Sequence, residues 1–115
     1  MEYHVAIHGN DQQQGTAEEP LRTISRAAAQ AMAGDTVIVH AGVYREWVNP
    51  ANGGTAEHRI IYRSAGDGEV VITGAERMTH WTSEGDNVWS TEVPNSIFSV
   101  RNPFKTELSG DWLFD

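Results

Sequence analysis

The sequence has no cysteine, which excludes disulfides, thiolate metal sites and thiol redox chemistry. Basic residues are scarce, eight Lys and Arg against sixteen Asp and Glu, for a formal charge of −8. That balance argues against nucleic acid or an anionic membrane as the main partner and leaves room for a neutral ligand such as a sugar. Apolar residues never run more than three in succession, far short of the ~20 needed to span a bilayer. The opening MEYHVAIHGND has neither the basic start nor the apolar core of a secretory signal, so the chain is expected to be cytoplasmic. With 39% hydrophobic residues in 115, it is expected to form one domain with a modest core, burying roughly 65% of the surface of its unfolded chain.

What is present is organised around residues 20–46. Ile24, Ala27, Ala28 and Ala31 recur at i, i+3, i+4 and i+7 and predict one face of a helix over about 22–32. Arg22, Ser25, Arg26 and Gln30 take the other face. Thr23 is the expected N-cap, Gly34 the expected left-handed C-cap, and Asp35 closes the following turn. A face of alanines is flat and suits close approach to a broad apolar surface. Periodicity leaves two packings open: a lid over the end of stacked strands, or a helix on an ordinary sheet. Thr36-Val37-Ile38-Val39 then reads as a strand, Ala41-Gly42 as a turn, and Val43-Tyr44-Arg45 as renewed extended structure.

Elsewhere, Tyr3, Val5 and Ile7 alternate with polar or small residues and predict a half-buried strand. His4 and His8 would suit a metal on a helix, but on a strand their Cα atoms stand roughly 13 Å apart, so no metal is expected there. In the polar loop 9–20, Asn10 and Asp11 are expected to bond their own turn backbone rather than a cation. Ile60-Ile61-Tyr62-Arg63 and Val70-Val71-Ile72-Thr73 predict two more strands across a Gly-rich turn. Trp81 and Trp89 flank a hairpin with Gly85 or Asn87 in its turn. These tryptophans are read as core residues in preference to a sugar-stacking platform. The finish at Trp112-Leu113-Phe114-Asp115 is apolar, which predicts that the domain continues beyond it.

The opening YHVAIHGND, the following Gly15-Thr16, then PLRTISRAA and AGDTVIVHAGVYRE resemble the N-terminal part of right-handed parallel β-helix proteins of the pectate-lyase-like superfamily. The resemblance implies a mostly β fold: the start of a right-handed parallel β-helix with an N-terminal capping α-helix. A narrower resemblance runs through GVYREWV (42–48), RIIYRSA (59–65), VVITGAE (70–76), NVWSTEVPNSIF (87–98) and NPFKTELSGDWL (102–113). These are similar to the start of glycoside hydrolase family 120, the β-xylosidases. It implies that residues 1–115 are the cap and first coils of such an enzyme, acting on xylo-oligosaccharides by a retaining mechanism with no cofactor. Two carboxyl groups roughly 5–5.5 Å apart are needed for that chemistry; in the family they come from later coils, so no residue here is assigned a catalytic role. Asp35 and Glu46 sit in family motifs, with capping and turn bonding as their expected work. Asp111 and Trp112 are the expected sugar-binding residues, Trp112 by stacking on a pyranose face or else by packing where the chain leaves the first coils.

Two other readings stay open. A β-helix polysaccharide lyase shares the cap but needs Lys and Arg to neutralise uronate charge, which this composition supplies poorly. A non-catalytic carbohydrate-binding or structural module needs a closed C-terminal end, which a homo-oligomer would provide by covering it with another copy.

Overall fold

The structure, a computed structural model, describes residues 1–98. In chain order the elements are β1 (Glu2–Val5), α1 (Ile24–Gln30), β2 (Thr36–Val39), β3 (Gly42–Arg45), β4 (Ile61–Ser64), β5 (Val70–Thr73), β6 (Thr82–Gly85) and β7 (Val88–Ser90), then a 3₁₀ turn at Asn95–Ile97. Two compact units divide the chain, Met1–Ala75 and Glu76–Asp115. Among the described residues no helix is long and apolar enough to cross a membrane.

The β-branched run of β2 forms the middle strand of a parallel sheet in the order β1-β2-β4, in register Tyr3↔Val37↔Tyr62 and Val5↔Val39↔Ser64. A second parallel pair joins β3 to β5, with Val43↔Val71 and Tyr44↔Ile72. From β2 to β5 consecutive strands therefore go to different sheets, and β4 and β5 return to the same two sheets in the same order as β2 and β3. Val5, Leu21, Val37, Val39 and Tyr44 meet Ile24, Ala27 and Ala31 of the helix in one core. Full burial of a Val, Leu or Ile side chain contributes about 1.5–3 kcal/mol, so this small cluster dominates the apolar stabilisation of the first unit. The strands farthest from the helix differ. Ile61, Tyr62 and Ile72 on β4 and β5 are 38–54% exposed, and these are the edge strands of their sheets.

The apolar face expected for the helix is buried at Ile24, Ala27, Ala28 and Ala31, and α1 packs on β1 and β2. The helix is shorter than its periodicity predicts. Ala31 already has extended geometry, with φ −57° and ψ 135°. The carbonyls that a longer helix would use are taken from outside: Ala51 N–H donates to Ala28 O (3.2 Å) and Asn52 Nδ2 to Ala31 O (3.0 Å). Gly34 has the expected positive φ, +91°, but it closes a separate turn, Met32 to Asp35, and is not the helix cap.

At the other end, Thr23 is the N-cap as expected, its Oγ1 accepting from Arg26 N–H (3.1 Å). The two earlier amides are taken by Glu46, which accepts from Ile24 N–H (3.0 Å), Ser25 N–H (2.8 Å) and Ser25 Oγ (2.6 Å). Asp11 does not bond its own turn. It accepts from the Arg22 and Thr23 amides, both at 2.8 Å, and from Thr23 Oγ1. Only Asn10 behaves as a local turn residue, accepting from Gln12 N–H.

Two predictions rest on these carboxylates. Replacing Glu46 with Ala strips two helix amides of their acceptor and should cost about 1–3 kcal/mol in chemical denaturation, with Glu46→Gln losing less; equal stability of all three would refute the capping role. Asp35 accepts from the Met1 α-amino group and from Met32 N–H, both at 2.8 Å, and these bonds hold its carboxyl below the usual 3.8. A depressed value stabilises the fold fully above 3.8 and ceases to do so as pH falls through the folded-state value. Asp35→Asn should therefore melt lower than the parent at neutral pH, and the gap should close below pH 3.8.

Candidate functional site

Tyr3 and Val5 of β1 face the core, so His4 between them lies on the outer face of the sheet. His40 follows β2 directly and continues its ladder, its N–H donating to Val5 O (2.9 Å). The buried Tyr44 holds the same residue from below, its hydroxyl donating to His40 O (2.8 Å); burial pushes that phenol up from its ordinary value. The two imidazoles meet with His4 Nδ1 2.9 Å from His40 Nε2 and ring centroids 5.2 Å apart. Asp67, in the turn after β4, sits on the far nitrogen, its Oδ2 2.7 Å from His40 Nδ1. Its other oxygen accepts from Ala41 N–H (3.0 Å). The His40 bond, and then the Ala41 amide, hold the Asp67 carboxyl below the usual range. A carboxylate can only accept, so a neutral His40 carries its proton on Nδ1 and offers Nε2 to the Nδ1–H of His4.

His8, whose spacing from His4 does not suit one ion on a strand, is exposed and stands outside this cluster. The partners are 36 and 27 residues apart along the chain, and only the folding of separate passes beside one another joins them. Among the described residues no group of three or more His, Asp or Glu side chains is arranged to hold an ion. Asp35 and Glu46 do the turn bonding and capping expected of them. Asp111 and Trp112 lie outside the described residues.

The second unit contributes a β6–β7 hairpin. Asp86 and Asn87 both have positive φ, 51° and 61°, the geometry of a two-residue hairpin turn. One side borders an open cavity of about 670 Å³ lined by His80, Thr82, Glu84, Ser90, Thr91, Glu92 and Pro94. There Ser90 Oγ donates to Glu84 Oε1 (2.6 Å), and Thr91 Oγ1 donates to His80 O (2.8 Å). Carboxylates beside hydroxyls can accept from and donate to a polyhydroxylated ligand. Trp81 and Trp89 are 53% and 60% exposed, contrary to the expectation that they pack a core. A short hairpin is only two strands thick and has no second layer of its own to bury them.

With this geometry in place, the comparisons are specific. Residues 78–115 match the insertion domain of glycoside hydrolase family 120, and residues 7–51 match a family of unknown function, DUF1565. The uncharacterized protein YwoF of Bacillus subtilis (strain 168) is 38% identical over 107 residues, covering 93% of this chain and 20% of that protein. A complex of XylC with xylose is 52% identical with a TM-score of 0.85, over 98% of this chain and 18% of that one. A further structure described as a glycoside hydrolase has a TM-score of 0.66 at 25% identity, over 81% of this chain and 18% of that one. The chain thus spans about a fifth of the length of these relatives.

The hairpin turn supplies a test of the second unit. Asn87→Ile forces a β-branched side chain into left-handed geometry and should cost the hairpin about 1–2 kcal/mol. Amide exchange in residues 82–90 should accelerate, and unchanged protection would show that another contact holds the hairpin.

Proposed function

We propose that this chain, which belongs to glycoside hydrolase family 120 as an N-terminal segment, forms the cap and first coils of a right-handed parallel β-helix in a β-xylosidase. The observation that carries the reading is the 52% identity to XylC, a structure holding xylose, over 98% of this chain. Parallel pairing supports the β-helix: β2 lies beside β1, β4 beside β2, and β5 beside β3, as successive coils require. The alanine face of α1, packed on β1 and β2 over the core, suits a lid. The half-exposed Ile61 and Ile72 on the edge strands suit a following coil. On this reading the coils occupy residues 1–75, and the chain passes into the insertion domain from residue 78.

The substrate is a xylo-oligosaccharide, and the product is xylose with retained anomeric configuration. The nucleophile and the acid/base carboxyl lie beyond residue 115, roughly 5–5.5 Å apart. Asp111 accepts from sugar hydroxyls and Trp112 stacks on a pyranose face. No cofactor enters this chemistry.

Turnover of p-nitrophenyl β-xyloside tests the proposal, on this 115-residue chain and on the longest chain its coding region supports. Only the longer chain should cleave, and proton NMR should detect β-xylose first. Trp112→Ala should raise KM by about tenfold, the loss of one stacking contact. Cleavage by the short chain would refute the placement of the carboxylates, and inactivity of both would refute the xylosidase reading.

A further inference from the structure

We propose that His4 and His40, with Asp67 behind them, form a two-nitrogen site for a divalent transition-metal ion of the Cu²⁺, Ni²⁺ or Zn²⁺ class. The site depends on the first unit alone.

The distance carries the argument first. His4 Nδ1 and His40 Nε2 are 2.9 Å apart and point at one another. Two imidazole nitrogens bound to one ion at about 2.0–2.1 Å in tetrahedral geometry are about 3.3 Å apart. Exchanging the shared proton for a metal ion therefore lengthens the separation by only a few tenths of an ångström, with both rings turning so that their lone pairs converge on the ion rather than on each other. The second support is the carboxylate. A metal-bound histidine characteristically donates its other N–H to a carboxylate, which fixes the tautomer and raises the basicity of the ligand nitrogen. Asp67 stands in that place on His40 at 2.7 Å, and is itself anchored by Ala41 N–H.

Preorganisation is the third. His40 is held through its N–H by Val5 and through its carbonyl by the buried Tyr44 hydroxyl, while His4 lies within a paired strand. The His40 side chain is 31% exposed, so water has access to complete the coordination sphere. Glu2 and Arg63 share this face of the sheet and lie 4.0 Å from each other, so the Arg63 charge is opposed locally. Neutral imidazoles select Cu²⁺, Ni²⁺ and Zn²⁺ over Mg²⁺ and Ca²⁺. An ion here would join β1, the end of β2 and the turn after β4, and would stabilise the fold by binding the native state alone.

Untagged protein from the longest available reading frame, titrated calorimetrically with Cu²⁺, Zn²⁺ and Mg²⁺, gives the test. Copper should bind more tightly than zinc, and magnesium should not bind. His4→Gln and His40→Gln should each weaken Cu²⁺ binding by more than tenfold, and Asp67→Asn by about 10–100-fold. His8→Gln should leave it unchanged. Zinc should raise the melting temperature of the parent and of His8→Gln, but not of His4→Gln. Should His40→Gln fail to fold, His4→Gln decides alone. Absence of Cu²⁺ binding, or equal affinity in His4→Gln and the parent, would overturn the proposal.

Discussion

The first unit depends on the bonds between one carboxylate and the start of one helix. A seven-residue helix is too short to be stable by itself, and its first amides have no partners within it. Glu46 takes two of these and Thr23 Oγ1 takes the third; Ala27 N–H reaches Thr23 O. Glu46 is also tied by its backbone to Thr73 at the end of β5. One residue thus fastens the helix to the β3–β5 pair, and its negative charge lies at the positive end of the helix dipole. The helix in turn covers Val5, Val37 and Val39.

The opposite end of the helix is held by the same kind of device. Loop donors from Ala51 and Asn52 occupy the carbonyls of Ala28 and Ala31. The helix is therefore defined at both ends by side chains and amides distant in sequence, and its length follows from where those partners stand. Its alanines allow this because a flat face can settle against the sheet without a large side chain fixing the distance.

Parallel pairing also produces the polar row on the outer face. Each return of the chain to the β1-β2-β4 sheet adds a residue in register beside the one before it. His4 stands in register with Ile38 and Arg63, and its ring reaches past that rung to His40, the residue after β2, which in turn meets Asp67 from the turn after β4. A substitution at any one of His4, His40 and Asp67 changes the hydrogen-bonding state of the other two. The row lies wholly within the first unit, whereas the match to the family 120 insertion domain begins at residue 78.

Much of the first unit was readable from residue order alone because its signals are local. The β-branched runs at 36–39 and 70–73, the i, i+3, i+4, i+7 face of α1, the Thr23 cap and the positive φ of Gly34 all arise within a few residues. Tertiary structure decided what depends on distant partners. It ended the helix at Gln30, because Ala51 and Asn52 reach its carbonyls. It turned Asp11 from its own turn to the amides of Arg22 and Thr23. It left Trp81 and Trp89 exposed, because a two-stranded hairpin offers no layer to cover them. It brought His4 to His40, a pairing between residues 36 apart that no local spacing encodes, because the side chains come from separate passes of the chain.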